Sequence, residues 1–275
     1  ERYGIGAETI AAIEPLLAGV PVAGAIVLGS GLGSLLDAWP VVTTVPGSEI
    51  PGYPTSTVPG HAGRLAIVRW GTDDPRLGLV FQGRVHFYEG YGRAEVTFAA
   101  RLAASLGSRW IVFTNASGSL DPGITPGTVL VVEDHIRILT LGAGPLRGVR
   151  AGPILRGTLY HPKRTEDLFR SLSAGSLRVM RGTLMGGLGP GYETAAEVEM
   201  ARRIGAQAAC MSTVVEVEEA ARCGLEVATV SLITNLATGL SAAPLSHEDV
   251  VEMAGRVGPR LAAALARVIE RWEAP

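Results

Sequence analysis

Residues 77–91 read Leu-Gly-Leu-Val-Phe-Gln-Gly-Arg-Val-His-Phe-Tyr-Glu-Gly-Tyr, and the change of character halfway along decides how the chain is read. Leu77 to Val80 is a short apolar run of the kind that forms a buried strand. Arg84, His86, Tyr88 and Glu89 then arrive together between Gly83 and Gly90. A buried strand that empties into a glycine-bounded polar cluster is where α/β proteins place ligands. Arg84 offers a planar fork to a phosphate or carboxylate. His86, two residues on, shares its face if the backbone stays extended. Tyr88 brings a ring and a hydroxyl to a sugar or base. On this stretch alone an exposed, solvated turn fits equally well, so the choice falls to the rest of the chain.

Outward from it, strands and helices alternate. Residues 7–18 have helical spacing, and Ala25-Ile26-Val27-Leu28 is a strand running into Gly29-Ser30-Gly31-Leu32-Gly33-Ser34. Such a turn, opening a helix, presents free N–H groups to an anion. Residues 46–63 form a Pro- and Gly-rich loop carrying His61 between glycines. Residues 64–70 and 77–82 pair as strands through a turn at 71–75. A helix spans 93–106, and the strand 110–114 delivers a small-residue turn, Asn115-Ala116-Ser117-Gly118-Ser119. The strand 129–132 leads to Glu133-Asp134-His135. Residues 141–162 lose periodicity and read as a long loop. Helix 164–172, strand 178–184, a glycine-rich turn at 186–194 and a helix from Ala195 to Ile204 follow. Thr194 and Glu197 have capping-box spacing. Residues 208–212, helix 214–223, strand 226–234 and a final helix capped by Ser246 complete the chain. With no repeat or linker, the expectation is an α/β fold: one domain, 1–275, with a central mixed β-sheet flanked by helices.

Composition narrows the function. A net charge of −2 argues against broad nucleic-acid or membrane-surface binding. Cys210 and Cys223 are the only cysteines, too few for a disulfide framework, so a reducing cytoplasm is the expected location. No apolar run is long enough to cross a bilayer, and no basic-then-apolar leader stands at the start. Asn115 and Asn235 are the only asparagines, each following a threonine at the end of an apolar run. That coincidence marks both as site candidates. Glu89 reads as an anchor for Arg84 or the sheet, and His135 as a strand-end hydrogen-bonder.

Nine segments in order then resemble the trimeric, low-molecular-weight purine nucleoside phosphorylases. They are Gly29-Ser30-Gly31-Leu32-Gly33, Val58-Pro59-Gly60-His61-Ala62-Gly63, Gly83 to Tyr91, Thr114-Asn115-Ala116, Asp134-His135-Ile136, Gly189-Pro190-Gly191-Tyr192-Glu193-Thr194, Met211-Ser212-Thr213, Thr234-Asn235 and Leu245-Ser246-His247-Glu248. The resemblance implies a nucleoside phosphorylase-like fold, a homotrimer, no cofactor or metal, and inorganic phosphate as co-substrate. It implies phosphate binding by Ser30, His61, Arg84, His86, Ala116 (through its N–H) and Ser212. Tyr88, Met211 and His247 would border the ribose, and Glu193, Asn235, Tyr192 and Ala116 the purine. Asn235, His86 and Glu193 would carry the catalysis.

Base choice follows from donor and acceptor patterns. A Glu193 carboxylate accepts from N1–H of a 6-oxopurine, and Asn235 donates to O6 or N7, so inosine and guanosine are the expected substrates. The chain departs from the family between Gly144 and Leu159, where no aromatic residue matches the phenylalanine that reaches a neighbouring subunit's site. Ser117, Ser119 and Leu236 depart as well. Three alternatives remain: a 5′-methylthio-nucleoside phosphorylase, which the polar His247 opposes; an NAD-dependent oxidoreductase resting on the glycines at 29–33; and a non-catalytic purine-binding module. The oxidoreductase lacks the third fingerprint glycine, with Ser34 in its place, and no acidic residue closes the next strand near Val45.

Overall fold

The apolar runs become strands because they are buried on both faces. In the computed structural model, which describes residues 2–58, 60–71, 76–138, 158–241 and 247–272, all seven residues of β1 (Val22–Leu28) are buried. The other strands are β2 (Val41–Pro46), β3 (Arg64–Trp70), β4 (Arg76–Gln82), β5 (Trp110–Ser119), β6 (Thr128–Arg137), β7 (Arg178–Gly186), β8 (Ala208–Cys210) and β9 (Glu226–Leu236). They form one mixed sheet in the order β2-β3-β4-β1-β5-β8-β7-β6-β9. β3 and β4 pair antiparallel from Arg64↔Gln82 to Trp70↔Arg76, as their patterns foretold. Alternation along β1 and β5 feeds two cores: Ala25, Val27, Ile111 and Phe113 on one face, Ile26, Leu28, Trp110 and Val112 on the other.

The helices are α1 (Ala7–Ile13), α2 (Arg93–Val96), α3 (Phe98–Ser105), α4 (Pro162–Ser173), α5 (Ala195–Arg203), α6 (Val214–Arg222) and α7 (His247–Trp272). The sheet carries helices on both faces; α3 and α6 share apolar positions with the first core, α4 and α7 with the second. Two helical readings shorten. Residues 14–17 tighten into a 3-10 turn with Pro15 at its start. The expected helix 93–106 breaks at Thr97, whose hydroxyl donates to the Arg93 carbonyl at 2.7 Å and competes with the helical ladder. The turn residues 72–75, most of the loop 141–162 and Ser246 lie outside the described residues. Among the described residues no helix is long and apolar enough to cross a membrane.

The largest correction concerns β5. Residues 115–119, expected to turn, stay in the strand, which β9 follows along one edge from Trp110 to Ser119. On the other edge β1 pairs only as far as Phe113, and β8 joins only at Gly118. Small side chains at 116–118 let the strand run on between crowded neighbours. β9 in turn pairs with β6, so β5, β8, β7, β6 and β9 close into a ring. Between β1 and β8, residues 114–117 of β5 have one edge without a strand partner.

The second core is organised by tryptophan. Trp70 stacks on Trp110 at 4.9 Å between centroids, and Trp39 and Trp272 meet this pair edge-on at 6.2 and 5.1 Å. Gly78, on the neighbouring strand, leaves the space Trp70 fills: a Cβ there would lie 2.4 Å from the indole ring. Gly78→Ala should therefore cost about 1–3 kcal/mol through overpacking. Thermal unfolding should show a Tm lower by about 2–10 °C; an unchanged Tm would contradict this packing.

Candidate active site

The gap in β5 opens on a cavity of about 140 Å³. Arg84, just past β4, forms part of its wall and is buried. Its Nη1 donates to the Thr114 carbonyl at 2.9 Å, using the unpaired strand edge, and its Nε lies 3.0 Å from a Glu216 carboxylate oxygen. Nη2 is buried without a partner. Carbonyls two residues apart on a strand face the same edge, so Ala116, two beyond Thr114, turns its N–H into the same gap.

Gly29 makes this possible by being small. A Cβ there would sit 2.7 Å from the Thr114 carbonyl oxygen and 2.9 Å from Arg84 Nη1. The turn 29–34, read as an anion loop, thus has a packing role as well. The Gly29 N–H is given to the Thr114 hydroxyl, and the chain enters a short 3-10 helix, Gly33–Ala38, in place of an α-helix. The segment contributes clearance and the Ser30 side chain.

His86 stands beside Arg84 with its Nδ1 and its N–H both 2.8 Å from Glu89 Oε1. Glu89 therefore anchors His86, not Arg84. Its other oxygen accepts from the N–H and hydroxyl of Thr57 at 2.6 and 2.9 Å. Burial pushes the Glu89 carboxyl up, but these hydrogen bonds from Thr57 and His86 outweigh it and hold it ionised below its ordinary range. With Nδ1–H given to Glu89, Nε2 is the nitrogen left for a ligand. Burial, with Arg84 adding to it, lowers the His86 pKa against the pull of Glu89. Tyr88 stacks on the imidazole at 4.7 Å, and burial raises its phenol to about 12.

His61 joins through Ser30, with Nε2 2.9 Å from the Ser30 hydroxyl. Its Nδ1 lies 2.6 Å from the Arg84 carbonyl, the shorter of two contacts to that residue's backbone. His61 thus fixes the backbone of Arg84 as well as touching the cavity's edge.

The cavity is lined further by Ala116, Tyr192, Glu193, Met211, Ser212 and Asn235. Ser212 is held by its neighbour: Thr213 Oγ1 accepts from Asn115 Nδ2 at 2.7 Å, while Asn115 Oδ1 accepts from Ser231. Both ends of the Asn115 side chain are thereby used inside the protein, so this asparagine organises the wall. Ser117 belongs to the same network: its hydroxyl lies 2.7 Å from that of Ser231 and, since the Ser231 proton goes to Asn115, is the donor there. Glu193 immediately precedes the capping box of α5, in which Thr194 and Glu197 exchange hydrogen bonds of 2.7 and 3.2 Å. That cap fixes the backbone carrying Glu193, whose carboxyl is pushed up by burial. Asn235 Nδ2 donates to the Leu236 carbonyl at 3.0 Å and its Oδ1 accepts from Thr234 at 2.9 Å.

Ten of the expected site residues thus meet in one cavity, with His61 at its edge. The His247 side chain lies outside the described residues. Residues 25–270 match the family model described as the phosphorylase superfamily. Purine nucleoside phosphorylase 1 of Geobacillus stearothermophilus is 38% identical over 239 residues, covering 84% of this chain and 85% of its own. The Schistosoma mansoni purine nucleoside phosphorylase solved with adenosine superposes with a TM-score of 0.82 at 28% identity, over 97% of this chain and 96% of its own. Isoform 2 from that organism, solved with cytosine and ribose 1-phosphate, gives 0.83 at 28%, over 98% and 97%. The chain belongs to the purine nucleoside phosphorylases of the phosphorylase superfamily.

Its activity is the phosphorolysis of purine nucleosides, which removes the oxidoreductase and binding-module alternatives. The phosphorylase also uses residues that the sequence reading passed over. Glu216 is 1% exposed and pairs with Arg84 from α6. Its signal was a charge set among apolar neighbours, four residues before the buried Ala220. His135 is structural as expected, with Nδ1 3.0 Å from the Tyr160 hydroxyl.

The histidines make stability depend on pH. Burial lowers His61 from 6.5 to about 4. The unfolded chain therefore takes up this proton before the folded one does, so folding weakens as pH falls from about 6.5 to about 4. Denaturant melts of wild type and His61→Asn across that range should differ in slope, with the variant losing less stability on acidification. Parallel profiles would contradict the buried neutral imidazole.

Proposed function

We propose that the phosphorylase cleaves 6-oxopurine nucleosides, inosine and guanosine and their deoxy forms, giving free base and (deoxy)ribose 1-phosphate. The observation that carries this reading is that Arg84, His86 and Ser212 share one cavity with Glu193 and Asn235. Phosphate would lie at the Arg84 end, taking hydrogen bonds from Arg84, Ser30, Ser212 and the Ala116 N–H, with His86 and His61 at its flank. There it supports the oxocarbenium-like sugar that develops as the bond to the base lengthens, so no protein nucleophile is needed. Tyr88, Met211 and His247 would enclose the sugar. The ribose 1-phosphate bound by the schistosome isoform agrees with such a product.

The orientation of Asn235 supports the choice of base. The Leu236 carbonyl only accepts, so the amide nitrogen must face it, and the Thr234 hydroxyl meets the amide oxygen. The second amide hydrogen is then a fixed donor for O6 or N7, where it stabilises the leaving purine anion. Glu193 accepts N1–H as a carboxylate, and that donor counteracts the upward push of burial. Tyr192, half exposed, would flank the base. The schistosome complex with adenosine shows that a 6-amino nucleoside enters a related site; the preference proposed here lies in turnover.

The whole chain, 1–275, would act as one domain within a homotrimer in the cytoplasm, with no cofactor and phosphate as co-substrate. Tyr192 at the cavity, with Met200 in α5 and Ile204 at its end, is exposed, and these three suit a subunit contact. Inosine, adenosine and methylthioadenosine, each with and without phosphate, test the activity: hypoxanthine release from inosine should dominate and require phosphate. Asn235→Asp should lower kcat/KM for inosine by about 10- to 1,000-fold and shift preference toward adenosine. An equal fall for both substrates would refute the role given to Asn235.

A further inference from the structure

Arg84 and Glu216 meet across 132 residues of sequence and are both almost wholly buried, with side chains 3% and 1% exposed. Apolar residues of similar volume often replace a buried ion pair at no loss of stability. The geometry of this pair supplies a use for it. Glu216 Oε1 accepts from Nε at 3.3 Å with Oε2 3.0 Å away, the Thr114 carbonyl holds Nη1 at 2.9 Å, and of the three guanidinium nitrogens Nη2 alone is without a partner. Arg84 also stands between two voids. One is the main cavity; behind it a smaller void of about 20 Å³ is lined by Arg84, Glu216, Tyr53 and a second carboxylate, Glu95.

We propose that Glu216 is a positioning residue that aims Arg84 at the phosphate, gripping the Nε edge so that the guanidinium stays out of the rear void and presents Nη2 to the anion. This rests on the reading that phosphate binds at Arg84. Without Glu216 the Nε edge loses its acceptor, and the Glu95 carboxylate lining the rear void becomes the competing partner for the guanidinium. Glu216 is not among the residues lining the main cavity, so its removal should act on one substrate only.

Steady-state kinetics with inosine and phosphate varied separately test this. Glu216→Leu should raise the phosphate KM by about 10- to 100-fold, with the inosine KM at saturating phosphate changed less than about threefold. Glu216→Gln, which keeps an acceptor on Nε, should recover most of that loss. Equal rises in both KM values, an unchanged phosphate KM in folded Glu216→Leu, or a Gln variant as impaired as the Leu one overturns the proposal. If Glu216→Leu does not fold, Glu216→Asp decides: with its carboxylate drawn back by one methylene, it must still raise the phosphate KM selectively, and no rise refutes the aiming role. Wild-type hypoxanthine release that is independent of phosphate would refute the underlying assignment instead, before any variant is compared.

Discussion

The site depends on a missing strand partner. Between Phe113, where pairing with β1 stops, and Gly118, where pairing with β8 begins, the edge of β5 has no neighbouring strand to satisfy it. Backbone groups left this way must find other partners or a ligand. Arg84 takes the Thr114 carbonyl, and the N–H of Ala116, two residues on, faces the same opening. The closing of β5 through β9 into a ring produces this gap as a consequence of topology. Ligand sites arise at such splits in α/β sheets because neighbouring strands diverge there.

Charge around the gap is nearly balanced before any ligand arrives. Arg84 is matched by Glu216, and Glu89 is committed to His86 and Thr57. Both histidines are shifted toward the neutral form. On the proposed reading, an anion entering here would be held chiefly by aimed donors, not by a surplus of positive charge. Fixed donors need no reorganisation as the sugar gains positive charge and the base negative charge, which is how preorganised sites lower barriers. The carboxylates set directions: the hydrogen bonds Glu89 accepts outweigh its burial, whereas burial still pushes the Glu216 carboxyl up against the pull of Arg84.

Much of this was legible in the chain. Strands buried on both faces write themselves as apolar runs, and the polar clusters at their ends stood out against a composition poor in Asn and Lys. What escaped had physical reasons. Asn115 to Ser119 looks like a turn by residue type, yet the pairing of β5 with β9 overrides local preference. Gly29 was read for an anion loop, and the clearance its missing Cβ leaves beside Thr114 and Arg84 did not show in residue type alone. Glu216 sits in a helix whose partner is 132 residues away, a relation that no local pattern encodes. Asn115 was marked as a site candidate and lines the cavity, but its hydrogen bonds to Thr213 and Ser231, which organise the wall, join distant residues.

The central claim is that one cavity holds an anion at Arg84 and a purine at Glu193 at the same time. A crystal structure with phosphate and hypoxanthine bound together tests it most directly. Phosphate oxygens should lie within hydrogen-bonding distance of Arg84 Nη2, the Ser212 hydroxyl and the Ala116 N–H, with N1 of the base on Glu193 and Asn235 at O6 or N7. Phosphate bound away from Arg84, or a base seated outside this cavity, would contradict the account.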